Sequence, residues 1–429
     1  MILIKTIKQI YITAFFVMQL LFRAVPIATA LPSVVNTALY SLFALFGALL
    51  IGWDLIRRQL RADIWLLLFV AVCLVSSLLN FQYGITDNLK TIVWTCIYFF
   101  VIYTCSTCNV GLNCLLFLII NFLQVAVSLA QYVLHIGYVA DFSQYDRYQG
   151  FINNRLFGIF TDPNYAAVLA AISLFISVFW MFRMQSKWQK ALLIINGLIQ
   201  YIFILLTGSR TGLVVCAVIL FLSVILFLRK SKPLFKTAVL AVALTAVFLF
   251  VCKPVTDLLS LGSEKAFGDN DTHYSLDRQD VTENTDISNS RFAMFKTGFD
   301  MFLDRPLFGV SPRNIASYAA KNFPDSIIAT SSKHYTTVHS LYVQLPASTG
   351  IAGTAVMLVF IIKTLRKIRG MLRLEGDAYQ KACAAFIICA AIAGQAALCL
   401  DILFVSLPST TLFWMMLGRF ERLSRGRDR

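Results

Sequence analysis

Apolar runs long enough to cross a bilayer recur along this chain of 429 residues, and they leave it few ways to fold. A helix spans the hydrocarbon with about 20 largely apolar residues. About twelve such runs centre near residues 15, 42, 72, 97, 123, 172, 198, 220, 244, 352, 391 and 410. The chain is 58% hydrophobic and 14% charged, with a mean hydropathy of +0.73, well above the roughly half-apolar make-up of soluble domains. These features predict an all-α integral membrane protein with about twelve transmembrane helices.

In a soluble protein the formal net charge of +15 would suggest a nucleic-acid partner. Here the cations sit in short segments between apolar runs, so they signal topology and imply no nucleic acid. Lys5 and Lys8 precede the first run, Arg57, Arg58 and Arg61 follow the second, and Arg183, Lys187 and Lys190 follow the sixth. Arg229, Lys230, Lys232 and Lys236 follow the eighth, Lys363, Arg366, Lys367, Arg369 and Arg373 follow the tenth, and Arg419, Arg422, Arg425, Arg427 and Arg429 close the chain. With an even number of spans every cluster falls on one face, which the positive-inside bias makes cytoplasmic together with both termini. The first run, from Lys5 to "IATA" at Ala30, also imitates a cleavable signal, although its loss would not invert the rest.

The ten cysteines are mostly inside apolar runs, where they act as small hydrophobes. Cys105 and Cys108 form one C-x-x-C without a second pair or a nearby histidine, which reads as packing. The absence of a phosphate-cradling glycine loop argues against an ATP-driven reaction.

Most connections are short, but residues 253–338 exceed any length that needs no functional explanation. They divide the chain into 1–252 with about nine helices, a large external loop over 253–338, and 339–429 with about three helices and a basic tail. The loop's first part, "GSEKAFGDNDTHYSLDRQDVTENTDISNS", is polar and poor in large apolar residues, as a surface flap would be. Its second part, "SNSRFAMFKTGFDMFLDRPLFGV", offers caps at Ser288 or Ser290, phenylalanines at 292, 295, 299 and 302, and a stop at Pro306 and Gly309. That pattern predicts an amphipathic helix lying in the headgroup layer, with Arg291, Phe295, Gly298 and Phe302 on one face. A shorter helix from about Arg313 to Asn322 is expected to follow.

Three residues stand out at predicted external boundaries: Arg210 in "TGSRTG", Arg291, and His339 in "YTTVHSLYVQ". A guanidinium fork matches phosphate oxygens, and two forks can hold a diphosphate at the membrane surface. A histidine at a helix N-terminus faces the positive end of the dipole, which favours a neutral imidazole able to take a proton from a hydroxyl. Each also has a plain alternative. Arg210 can snorkel to the interface, Arg291 can be a surface charge, and His339 can be a polar cap.

The order "GIFTDPNYAA" at 158–167, "TGSRTG" ending one span, the loop "SRFAMFKTGFDMFLDRPLFGVSP" and then "HSLYVQLPASTGIAG" resembles the O-antigen ligase and polymerase superfamily. The similarity runs from about residue 150 to 365. It implies a multi-span membrane enzyme that takes a glycan from undecaprenyl diphosphate on the external face of the bacterial inner membrane and joins it to an acceptor, in O-antigen, capsule or exopolysaccharide assembly. It implies catalytic roles for Arg210, Arg291 and His339, while Arg278, Arg305 and Arg313 are other loop arginines that could take the place of Arg291. In that scheme the arginines bind the lipid diphosphate and stabilise charge on the leaving group. His339 takes the proton of an acceptor hydroxyl on a saccharide or lipid-linked glycan, and the sugar linkage inverts. With the arginines neutralising the diphosphate, the scheme uses no metal and no cofactor. Tyr342, one turn after His339, and Arg313 are further candidates to contact substrate, with core packing the plain alternative for Tyr342. Pro346, Gly350 and Gly353 are expected to kink or thin the tenth helix, and Asp162, Pro163 and Asn164 to cap and open the sixth. A secondary transporter or lipid-linked glycan flippase is the alternative class, but it would carry ionisable or broken helices near mid-membrane, and these spans are nearly free of charge.

Overall fold

The computed structural model describes residues 2–60, 62–105, 108–142, 145–152, 154–181, 183–228, 234–267, 290–331, 335–373, 383–384, 386–387, 403–404 and 407–425. In chain order the helices are α1 (Ile2–Leu21), α2 (Val25–Ala30), α3 (Ser33–Ile56), α4 (Ile64–Leu79), α5 (Thr86–Ile97), α6 (Val110–Val133), α7 (Pro163–Met181), α8 (Lys187–Leu206), α9 (Arg210–Leu228) and α10 (Leu234–Phe267). They continue with α11 (Arg291–Asp304), α12 (Ile315–Asn322), α13 (Ile327–Thr330), α14 (Leu341–Arg373) and α15 (Pro408–Arg425). A helix occupies each predicted centre except the one near 391, which lies outside the described residues. Among the described residues, seven helices are long and apolar enough to cross a membrane, namely α1, α3, α6, α7, α8, α10 and α14, while α4 and α9 are shorter and apolar.

Two features depart from the sequence prediction. Between α6 and α7 the chain forms a three-stranded antiparallel sheet, β1 (Gly137–Phe142), β2 (Tyr145–Ile152) and β3 (Arg155–Gly158), so the fold is helical with one small sheet. Rows such as "GYVADF" and "YQGFI" carry the β-branched and aromatic residues that suit a pleated surface. The second departure is α10, which passes the predicted end at residue 252 and runs to Phe267 with Pro254 inside it. Proline removes a single intrahelical donor there without ending the helix.

The chain forms two compact units. Unit 1 contains Met1–Phe15, Thr37–Val110 and Asp286–Arg429; unit 2 contains Phe16–Asn36 and Gly111–Thr285.

In unit 1 one end is set by ion pairs. Lys8 of α1 bonds Asp54 of α3, Lys363 of α14 bonds Asp63 before α4 at 2.8 Å, and Lys367 bonds Glu421 of α15. Arg422 also donates to the carbonyl of Tyr103 at 3.3 Å. The basic clusters of these helices therefore gather at a common end, and the turn between α4 and α5 and the start of α14 lie at the other. After α5 the chain makes a π-helical turn over Tyr98–Ile102, all of it buried, where Phe99 packs on Trp414 with ring centroids 4.7 Å apart. In unit 2, α7 is buried along most of its length between α8 and α9, and Gly212 lets α9 approach Ala167 of α7 closely.

Candidate active site

The most constrained part of unit 1 is a break in α14. Gly350 adopts φ 61° and ψ −162°, a conformation no helix contains. Breaking a helix frees backbone amides and carbonyls that cost several kcal/mol each if left unpaired in lipid, so partners must come from elsewhere. Residues 306–311 supply them. Ile351 N–H donates to Pro306 O at 2.7 Å and Ala352 N–H to Leu307 O at 3.1 Å, while the N–H groups of Val310 and Ser311 donate to Ala347 O at 2.8 Å and Ser348 O at 2.9 Å. A side chain at Gly350 would overlap the backbone of Leu307 and Phe308, and one at Gly309 (φ 65°) would overlap Ala347 and Ser348. The two glycines allow backbone to lie on backbone. The kink predicted at Gly350 is thus a clipped break.

Buried amides then tie this clip to the α4–α5 turn. Asn88 Nδ2 donates to Gly84 O and to Asn314 Oδ1, both at 2.8 Å, and its Oδ1 accepts from Ser311 Oγ at 2.6 Å and Arg313 N–H at 2.8 Å. Asn80 Nδ2 donates to Gly309 O at 2.9 Å, and Asn314 Nδ2 donates to Asn80 O at 3.1 Å. All three asparagines are buried, and buried amides with most of their bonds made specify one arrangement of the chain. Arg313 consequently has a fixed backbone and an exposed guanidinium.

Gln344, 1% exposed, joins this network to the predicted base. Its Oε1 accepts from Val338 N–H at 3.0 Å and its Nε2 donates to Pro312 O at 3.4 Å. Val338 precedes His339 and Pro312 precedes Arg313, so one side chain holds both segments. His339 is half-buried, two residues before α14, with its ring edge-on to Tyr335 at 5.3 Å and 89°. Its φ is 56°, in the left-handed region. A non-glycine residue held there costs about 1–2 kcal/mol and is kept only where the surroundings impose it. Tyr342, 42% exposed, lies on the first turn of α14.

Helix α11 carries Arg291 at its first position, as predicted, and α12 matches the expected shorter helix. The packed face of α11 is not its phenylalanine row. Met294, Thr297, Gly298 and Met301 are buried, and Gly298 lies so close to Val338 and Val343 that a Cβ would come within 2.9 Å and 2.7 Å of their methyl groups. Phe292 and Phe299 are 73% and 56% exposed, which fits a helix docked on protein by one face and turned to lipid by another. Arg291, half-buried, lies between the two faces, two turns before the contact with the His339 segment. Among its rivals, Arg305 is used locally. Its Nε donates to the Tyr318 hydroxyl at 3.1 Å, Tyr318 in turn donates to Asp304, and the hydroxyl holds the guanidinium pKa above its ordinary value. The Tyr318 pKa is raised by burial and by Asp304. Arg278 lies outside the described residues.

Arg210 belongs to unit 2, where it opens α9 with an exposed side chain. The predicted cap of α7 is present: Asp162 Oδ1 accepts from Asn164 N–H at 2.6 Å and Tyr165 N–H at 3.3 Å. Asn164 also joins "TDPN" to "TGSR", because its Oδ1 accepts from Ser209 Oγ at 3.1 Å and from Arg155 Nη2 at 3.0 Å, while Arg155 Nε donates to Thr207 O at 2.9 Å. Sequence reasoning missed Arg155, which sits on the unpredicted strand β3. Of the predicted site residues, Arg291, Arg313, His339 and Tyr342 share unit 1, and Arg210 is in the other unit.

A search of curated proteins finds no match to the chain. A family model described as O-antigen ligase matches residues 195–358, a segment that contains Arg210, Arg291, Arg313, His339 and the clip at Gly350. The match supports a glycan-processing function of the ligase or polymerase type in a membrane protein. The similarity read from the motifs is therefore shown: over residues 195–358 this chain matches the O-antigen ligase family.

Proposed function

We propose that the protein transfers a glycan from undecaprenyl diphosphate to an acceptor hydroxyl in surface polysaccharide assembly. The observation that carries this reading is the family match, which spans all three predicted catalytic residues in their expected order. His339 takes the proton of the acceptor hydroxyl, and the oxygen attacks the anomeric carbon from the face opposite the diphosphate, with inversion. Arg291 binds the diphosphate and stabilises charge developing on it. Arg210, exposed at the start of α9, is a second diphosphate-binding cation. Arg313 and Tyr342 contact sugar.

In this reading the ion-paired end of unit 1 is cytoplasmic, as the positive-inside bias favours, and His339 and Arg291 work at the extracytoplasmic face of a bacterial inner membrane. Both termini are cytoplasmic in a scheme of about twelve spans, with residues 253–338 as the external segment. A secondary transporter would also use a broken helix, and the clip at Gly350 is such a break. Reaction decides between them. Full-length protein in liposomes, given undecaprenyl-diphosphate-linked glycan and acceptor, should yield lengthened or transferred glycan, with loss of about 100-fold or more in R291A. Movement of the lipid-linked glycan across the bilayer without any new glycosidic bond would overturn the proposal.

A further inference from the structure

A pocket of about 210 Å³ opens in unit 1 along one face of α5, closed by Arg313 on one side and by Leu403 and Phe404 on another. That volume is about seven water molecules, below the range of drug-sized sites and suited to one sugar ring. Its lining on α5 is Asp87, Lys90, Thr91, Trp94 and Thr95, continued by Tyr98 at the start of the π-helical turn. These residues recur at three- and four-residue intervals, so they form a single stripe down the helix. A polar and aromatic stripe in a predicted span is a functional signal, and it was readable in "TDNLKTIVWTCIY".

The chemistry of the lining selects its ligand. At the mouth, Asp87 and Lys90 are paired at 3.0 Å with side chains 70% and 67% exposed, and Arg313 adds a second cation. An exposed pair of this kind contributes little to stability, which leaves both groups able to turn to a ligand. A simple anion would meet Asp87, and a simple cation would meet Lys90 and Arg313. A neutral ligand bearing several hydroxyls satisfies both signs, since each hydroxyl donates and accepts. Deeper in, Thr91 spends its proton on the carbonyl of Asp87 at 2.9 Å, so its oxygen is left to accept, while the Thr95 hydroxyl lies between the carbonyls of Thr91 at 2.9 Å and Leu403 at 3.2 Å. Trp94 is held by Phe15, stacked at 5.0 Å and 9°, and by the edge of Tyr40 at 6.3 Å, and with buried Tyr98 it supplies a rigid aromatic wall for the apolar face of a ring.

We infer that this pocket binds a pyranose ring of the acceptor glycan. The assignment to the acceptor rests on the proposed transfer reaction: Gln344 holds the Arg313 segment against the His339 segment, and His339 is the group that activates the acceptor.

The test separates the pocket from the reaction. Saturation-transfer NMR on detergent-solubilised full-length protein, with methyl glycosides of glucose, galactose, N-acetylglucosamine and glucuronic acid at millimolar concentration, should show binding of at least one glycoside. D87A and K90A, both at exposed positions, should raise its Kd at least about tenfold, and W94F should also weaken it, while H339A binds as wild type does. Binding that is equal in wild type, D87A and K90A, or no binding of any glycoside, overturns the pocket even if the liposome reaction proceeds. Glycoside binding without any transfer would instead uphold the pocket and remove its link to an acceptor. In the transfer assay, D87A and K90A should raise the acceptor KM; a rise confined to the donor KM would overturn the acceptor assignment.

Discussion

Each unit joins segments that are far apart in sequence, but by different means. In unit 1 the strap at 306–311 meets the broken α14 backbone to backbone, and neutral asparagine and glutamine side chains complete the junction. In unit 2 the junction of "TDPN" with "TGSR" adds a cation to the Ser209–Asn164 hydrogen bond, because Arg155 bridges Thr207 and Asn164. The difference separates charges that build from charges that are presented. Arg155 and Arg305 spend their donors on the protein's own carbonyl, amide and hydroxyl oxygens, whereas Arg313 is carried, exposed, on backbone that other residues hold. An arginine in such a chain is therefore not a site residue by its type alone.

Substitutions can break this contrast. The largest stability loss is expected from G350A, which puts a Cβ into the strap backbone at a left-handed φ; the loss should be about 3 kcal/mol or more. Heated detergent samples followed by gel filtration measure it, and wild-type stability in G350A would refute the clip. N88A comes next. It strands the Arg313 amide and Asn314 Oδ1 and leaves the Ser311 hydroxyl only Ser77 as a partner, at about 2–3 kcal/mol, and it should loosen Arg313 enough to lower transfer even in the fraction that stays folded. The smallest effect is that of R155A, about 2 kcal/mol for two charge-assisted bonds. R155K should not recover it, because an ammonium cannot reproduce the fork; recovery in the same melting assay would mean that charge alone is needed at β3.

The sequence carries the helices plainly, because apolar length and charge-rich ends are local signals. Helix α11 is legible for the same reason, with Ser290 at its N-cap position and Pro306 just past its end, and so is the Asp162 cap of α7. His339 and Arg291 stand out in the sequence by family likeness more than by periodicity. What was not legible depends on partners distant in the chain. Gly350 reads as a kink until Pro306 and Leu307 are seen to satisfy the amides it frees. Arg155 reads as a loop cation until β3 aims it at Thr207. The phenylalanines of α11 read as an apolar face for the headgroup layer, and Phe292 and Phe299 are exposed, but the Met294–Gly298–Met301 face that packs on protein was not legible, since it depends on Gly298 admitting Val338 and Val343 so closely.

In the proposed reaction His339, held at a left-handed φ of 56°, is the base. H339N tests it most directly. Asparagine accepts the left-handed backbone about as readily as histidine but cannot serve as a base. In liposomes with lipid-linked glycan and acceptor, purified H339N should melt as wild type does and lose transfer by about 100-fold or more. Transfer at the wild-type rate by folded H339N would contradict the account.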